Sequence, residues 1–182
     1  MTVRSELVLG GQRSGKSHHA EQRAQAWLAA DPAHRVVFVA TAEAGDGEMA
    51  SRIDRHRADR AARLPRADTV EEPRALSATI AARSDARTLL VVDCLTLWLA
   101  NLYPTDDADI AWKTETLAGV VAAAAGPVVL VSNEIGLGVV PMGRETRAYV
   151  DALGRINQRM AALCERVVLV VAGLPLVVKG SA

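Results

Sequence analysis

The sequence predicts an α/β fold: a mainly parallel central sheet, doubly wound, with helices on both faces in three layers. Three observations predict it. Short β-branched runs recur along the chain, and the gaps between them are rich in the helix formers Ala, Leu, Glu, Gln and Arg. The runs are also apolar almost throughout, as strands are when helices cover both faces of their sheet. With 182 residues the chain fits one domain spanning 1–182, long enough to bury a substantial core.

Taken in order, the strands are expected over residues 7–9, 36–39, 89–92, 128–131 and 167–171, each bounded by Gly, Pro or charged residues. Helices are expected over 17–30, 47–62, 73–82, 110–125 and 144–163. The tail after Val178 is expected to fray or to add a final edge strand. The most apolar stretch, 117–131, is interrupted by Gly126 and Pro127 and falls short of the roughly 20 residues that cross a bilayer. It reads as helix, turn and buried strand, with no membrane insertion.

Composition narrows the functional classes. Lys+Arg and Asp+Glu both total 21, so there is no basic surplus to indicate nucleic acid as the main partner. The two cysteines, Cys94 and Cys164, are too few and too far apart for a disulfide framework or a zinc site. Reduced thiols and a cytoplasmic location follow, and the first residues lack the long apolar segment of a secretory signal.

Gly10, Gly11, Gln12, Arg13, Ser14, Gly15, Lys16 and Ser17 match the phosphate-loop pattern between an expected strand and an expected helix. Such glycines let successive amides curl around phosphate oxygens, and the helix N-terminus adds partial positive charge. Lys16 is expected to reach the β and γ phosphates, and Ser17 to offer a hydroxyl to Mg2+. The class implied is a three-layer P-loop NTPase fold of the RecA-like type. Asp93 ends the apolar run 89–92, where a second carboxylate approaches the metal across the sheet. Its plainer role would be to cap a helix starting near Leu95.

Residues 52–60 read as helical, with Arg52, His56 and Arg60 along one face. Cationic neighbours favour the neutral imidazole, whose ring nitrogen could attack phosphorus or accept a proton. A solvated helix of paired charges is the other reading. His18, His19 and His34 are assigned no catalytic role. The loop 132–141 follows the fourth strand, at the sheet edge where ligands gather, which makes Asn133 and Glu134 substrate or metal-shell candidates. Equally, Gly136 and Gly138 could serve tight turning alone.

Taken together, several segments resemble the bifunctional adenosylcobinamide kinase/adenosylcobinamide-phosphate guanylyltransferase family of cobalamin biosynthesis. They are residues 10–17, Ala40-Thr41, Arg52-Ile53 with His56, 69–73, Asp93 to Thr96, 132–141, 154–158 and Ala172 to Pro175, which span nearly the whole chain in family order. The resemblance implies phosphorylation of adenosylcobinamide by a nucleoside triphosphate, with ATP and GTP both candidates, followed by transfer of GMP from GTP to adenosylcobinamide phosphate. It implies a guanylyl-histidine intermediate on His56 with Lys16 at the phosphates, and nucleotide contacts at the phosphate loop, Ala40, Thr41, Arg57, Arg60, Glu71 and Asp93. It also implies a homotrimer. One local departure stands out: family members commonly show Arg-Pro and then Trp after the histidine, whereas this chain reads Arg60-Ala61-Ala62-Arg63-Leu64. A monofunctional P-loop kinase and a nucleotide-dependent switch are the alternatives, the switch lacking an Asn-Lys-x-Asp guanine signature.

Overall fold

The expected apolar runs become the centre of a seven-stranded sheet in the computed structural model, which describes residues 3–43, 45, 47, 57, 58 and 60–181. In chain order the named elements are β1 (Ser5–Gly10), α1 (Lys16–Ala30), β2 (Arg35–Ala40), β3 (Ala67–Glu71), α2 (Leu76–Arg83), β4 (Thr88–Asp93), α3 (Leu95–Leu102), α4 (Asp107–Ala123), β5 (Val128–Val131), α5 (Arg144–Leu163), β6 (Arg166–Val171) and β7 (Leu174–Lys179). The strand order is β3-β2-β4-β5-β1-β6-β7, parallel throughout except for β7, which runs antiparallel to β6.

Period-two alternation sends successive strand residues to two separate cores. Leu7, Val37, Val39, Leu90, Val92 and Leu130 join one, packed by α2, α3, α4 and α5 through Ile80, Trp98, Leu117 and Leu153. Val8, Val36, Phe38, Val91, Val129 and Val168 join the other, covered by Ala20, Ala24 and Leu28 of α1 together with Leu64. Both faces are therefore buried, which is why these strands read as apolar without polar alternation. Among the described residues no helix is long and apolar enough to cross a membrane.

Helix ends follow local chemistry. Asp106 caps α4 by accepting from the Asp109 amide at 2.7 Å, with Asp107 and Asp109 in the first turn where negative charge is favoured. Helix α5 covers the span the sequence predicts. The stretch 117–131 resolves into the end of α4, a turn at Gly126-Pro127, and β5. Helix α3 begins at Leu95, where the sequence places a helix start. Two elements differ from expectation. Strand β3 is an edge strand of mostly exposed, polar residues, so it carries no apolar signal. The edge strand at the other end starts at Leu174, well before Val178, and Pro175 is tolerated there because the strand is an edge. Of the helix expected over 47–62, residues 60–63 are helical and run on to Leu64, while most of the earlier part lies outside the described residues.

Candidate functional site

The parallel strands end together on one edge. Ala40 pairs with Glu71 and with Asp93, and Asp93 pairs with Val131, so four of the predicted positions lie at neighbouring strand ends or immediately beyond them. Thr41 follows Ala40, donating its amide to the Asp93 carbonyl at 3.1 Å. Glu134 donates its amide to the Gly10 carbonyl at 3.0 Å, which ties the loop after β5 to the start of the phosphate loop. This is the edge where ligands bind in open α/β sheets.

The phosphate loop is shaped by its small residues. A Cβ on Gly10 would meet the Val170 carbonyl oxygen at 2.5 Å and Ser14 Oγ at 2.6 Å, so only glycine fits. Arg13 (φ 57°) and Gly15 (φ 102°) take left-handed conformations, the kind that turn successive amides into an anion-binding concavity. Lys16 opens α1 and is buried, its Nζ donating to the Gly11 carbonyl at 2.6 Å across the loop. Ser14 Oγ is buried and has no hydrogen-bond partner among the described residues, a polar atom that a phosphate oxygen could satisfy. Gly173, in the turn from β6 to β7, braces the loop by donating its amide to the Ser14 carbonyl at 2.8 Å.

Asp93 is not a helix cap: Cys94 holds that position in α3 and makes no side-chain cap, while Asp93 Oδ2 accepts from Arg60 Nη2 at 3.3 Å. Arg60 is 7% exposed and lies over the Phe38 ring, 4.1 Å from its centroid. Burial pushes its pKa down from the ordinary value, opposed by the charges of Asp93 and Glu21. Its Nε is buried and unpartnered among the described residues. Arg57 is half exposed and pairs with Glu71. The predicted catalytic His56, with Arg52 and Ile53, lies outside the described residues.

Asn133 and Glu134 are held by groups that sequence spacing does not reveal. The Asn133 amide donates to Thr96 Oγ1 at 2.9 Å, and its carbonyl accepts from Asn157 Nδ2 at 3.0 Å. Glu134 accepts the Gly136 amide at 2.9 Å through Oε1, so at least that oxygen shapes its own loop. Thr41 Oγ1 donates to the Cys94 carbonyl at 2.7 Å and accepts the Cys94 amide at 2.8 Å, and Asn101 Nδ2 donates to the Thr41 carbonyl at 2.6 Å. Thr96, Asn101, Asn157 and Gly173 thus support the site from distant positions; their only sequence signal was membership of the matched segments for Thr96, Asn157 and Gly173.

The other histidines and the cysteines make contacts within the fold. His19 bonds to Glu6 at 3.1 Å, and His34 stacks on Trp27. Cys94 and Cys164 are free and buried, with burial pushing each thiol up to about 11. A cleft beside the loop is lined by Gly11, Arg13, Ser14, Glu134, Leu137 and Ala172 among others, so the β5 loop and the β6–β7 turn share a concavity with the phosphate loop. Ser17 offers a hydroxyl at the start of α1 and Asp93 a carboxylate at the end of β4, and among the described residues no group of three or more His, Cys, Asp or Glu could hold a metal ion. Mg2+ characteristically takes few protein ligands and completes its shell with phosphates and water.

Comparison with known proteins bears on this site. A family model described as "Cobinamide kinase / cobinamide phosphate guanyltransferase" matches residues 6–178. The "Bifunctional adenosylcobalamin biosynthesis protein CobP" of Pseudomonas aeruginosa is 49% identical over 176 residues, covering 96% of this chain and 97% of the relative. The "Bifunctional adenosylcobalamin biosynthesis protein CobU" of Escherichia coli is 35% identical over 187 residues, covering 95% and 98%. Among solved structures, flagellar accessory protein FlaH from Methanocaldococcus jannaschii shares the fold, with a TM-score of 0.55 and 12% identity over 98% of this chain and 79% of that one.

Proposed function

The chain belongs to the cobinamide kinase / cobinamide phosphate guanyltransferase family, and from that premise we propose that it carries out both reactions at the edge described above. In the first, a nucleoside triphosphate phosphorylates the aminopropanol hydroxyl of adenosylcobinamide. In the second, GMP passes from GTP to adenosylcobinamide phosphate through a guanylyl group on His56, giving adenosylcobinamide-GDP. The observation that carries the reading is the phosphate loop itself, with a buried Lys16 ammonium across its mouth and, inside it, a Ser14 hydroxyl with no partner among the described residues.

In phosphoryl transfer the loop amides and Lys16 hold the β and γ phosphates and stabilise the charge that spreads over them. Ser17 and Asp93 would hold Mg2+, which neutralises phosphate charge when bound. In guanylyl transfer a neutral His56 ring nitrogen attacks the α phosphorus of GTP. A P–N bond forms, the bridging P–O bond breaks, and pyrophosphate leaves. A phosphate oxygen of adenosylcobinamide phosphate then attacks the same phosphorus, the P–N bond breaks, and the imidazole is released. Arg60 is read as a nucleotide contact through its Nε, unpartnered among the described residues, and Arg57 and Glu71 as further contacts near the strand ends. Ala40 and Thr41 complete the nucleotide set, and Asn133 and Glu134 remain the substrate candidates.

Residues 1–182 form one nucleotide-binding domain, supported by two cores built on a single sheet. The protein is cytoplasmic, consistent with two buried, unpaired thiols, and takes no nucleic acid partner, consistent with its charge balance. The family resemblance implies a homotrimer, and Leu174, Leu176 and Val178 expose apolar side chains on β7 that a subunit contact of any symmetry could cover. Incubation with Mg2+, adenosylcobinamide and either ATP or GTP tests the function. Mass spectrometry should show adenosylcobinamide phosphate first, then adenosylcobinamide-GDP only where GTP is supplied. Phosphorylation without the second product would reduce the protein to a kinase, and hydrolysis without any corrinoid product would favour a switch.

A further inference from the structure

The stretch that follows His56 is docked on the phosphate-loop helix. Arg63 Nη1 donates to Glu21 Oε2 at 2.5 Å, and Glu21 stands on α1, five positions after Lys16. Glu21 is 5% exposed, and a carboxylate so dry needs a cation beside it. Leu64, 3% exposed, packs into the core under α1 with Ala20, Ala24 and Phe38. Arg60 adds its own anchor on Asp93 and the Phe38 ring. Among the described residues, 60–64 are thus held by an ion pair to α1, an ion pair to β4 and the buried Leu64, and Arg57 further up the stretch pairs with Glu71 of β3.

We propose that Glu21 and Arg63 are positioning residues for guanylyl transfer: their ion pair fixes the stretch after His56 to the same helix whose first turn holds the nucleotide's phosphates. This rests on the guanylyl-histidine reading above. Arg60 lies four positions after His56, and four residues span at most about 14 Å of chain. Anchoring 60–64 therefore bounds where the histidine can meet the α phosphorus. One rigid helix carries Lys16 and, through Glu21, the tether of the nucleophile. Phosphoryl transfer to the corrinoid hydroxyl uses the loop, Ser17 and Asp93 without the histidine, and Arg60 keeps its own anchors on Asp93 and the Phe38 ring, so this step depends far less on the Glu21–Arg63 pair. An exposed ion pair would contribute little, but removing Arg63 strips a cation from a buried carboxylate.

The test measures two rates on the same preparations of wild type, Arg63→Ala, Glu21→Gln, the double variant and Arg63→Lys. One is single-turnover labelling by α-labelled GTP with Mg2+, and the other is phosphorylation of adenosylcobinamide by ATP, which also reports folding. Each single variant should label about tenfold more slowly at saturating GTP, with the half-saturating GTP concentration within about twofold. Phosphorylation should stay within about twofold of wild type. The double variant should be no slower than the slower single, since both changes remove the same ion pair, and Arg63→Lys should recover part of the rate. Labelling that ignores Arg63→Ala overturns the proposal alone, as does a parallel fall in both rates. Wild-type protein that takes no label overturns the proposal together with the reading it rests on.

Discussion

At Lys16 a buried ammonium reaches back to the Gly11 carbonyl, 2.6 Å away, across the loop that a triphosphate would fill. A bound phosphate would replace that carbonyl as its partner, so Lys16→Ala should lower phosphoryl transfer by about 10²–10³-fold, read as kcat with adenosylcobinamide, while the melting temperature stays near wild type. A second residue governs acid stability. Glu6 is buried in β1; burial alone would raise its pKa, but the hydrogen bond with His19 and the charges of Arg23 and Arg166 outweigh it and hold the carboxyl below the ordinary value of 4.5. A carboxylate depressed on folding contributes stability above its unfolded pKa and loses it as pH falls through the folded one. Melting temperatures of wild type should therefore drop below about pH 4.5, and Glu6→Gln should flatten that drop. An equally steep drop in the variant would assign the acid sensitivity to other groups.

At the scale of elements, the packing of α3 and the turn before β5 are the sharpest dependencies. Trp98 is fully buried in the larger core, and its Nε1 donates to the Arg74 carbonyl at 3.1 Å. Trp98→Ala should cost about 3–5 kcal/mol by chemical denaturation, since the cavity cannot collapse against a β-sheet. Gly126 lies where a Cβ would be 2.2 Å from the Asp85 carbonyl oxygen and 2.4 Å from that of Thr88. Gly126→Ala should cost about 1–3 kcal/mol or more in the same measurement, because both neighbours are backbone and cannot rotate away. The buried strands and most helices were legible because apolar runs and helix formers follow directly from burial on both sheet faces. Strand β3 was not, because Asp68, Thr69 and Glu71 at an exposed edge have no core to report. The supports of Asn133, namely Thr96 and Asn157, and the Glu21–Arg63 pair join residues distant in sequence, where spacing carries no information. The phosphate loop and Asp93 were legible because each ends an apolar strand in a recognisable chemistry. The histidine's place in the site rests on family pattern.

At the scale of the whole molecule, two reactions converge on one sheet edge. Strand β5 separates β1, which bears the phosphate loop, from β4, which bears Asp93, and the stretch following His56 crosses to both α1 and β4 through Arg63 and Arg60. On the proposed reading a single nucleotide site would feed a γ-phosphoryl transfer and an α-phosphoryl transfer, with the histidine serving the second alone. The central claim is the covalent guanylyl-histidine. The measurement that tests it most directly is acid-labile, base-stable labelling by α-labelled GTP and Mg2+, with intact mass read in parallel. Wild type should take the label and gain one GMP, and His56→Ala should take neither while still phosphorylating adenosylcobinamide. Label retained by His56→Ala, or absent from wild type that binds GTP, would contradict the account.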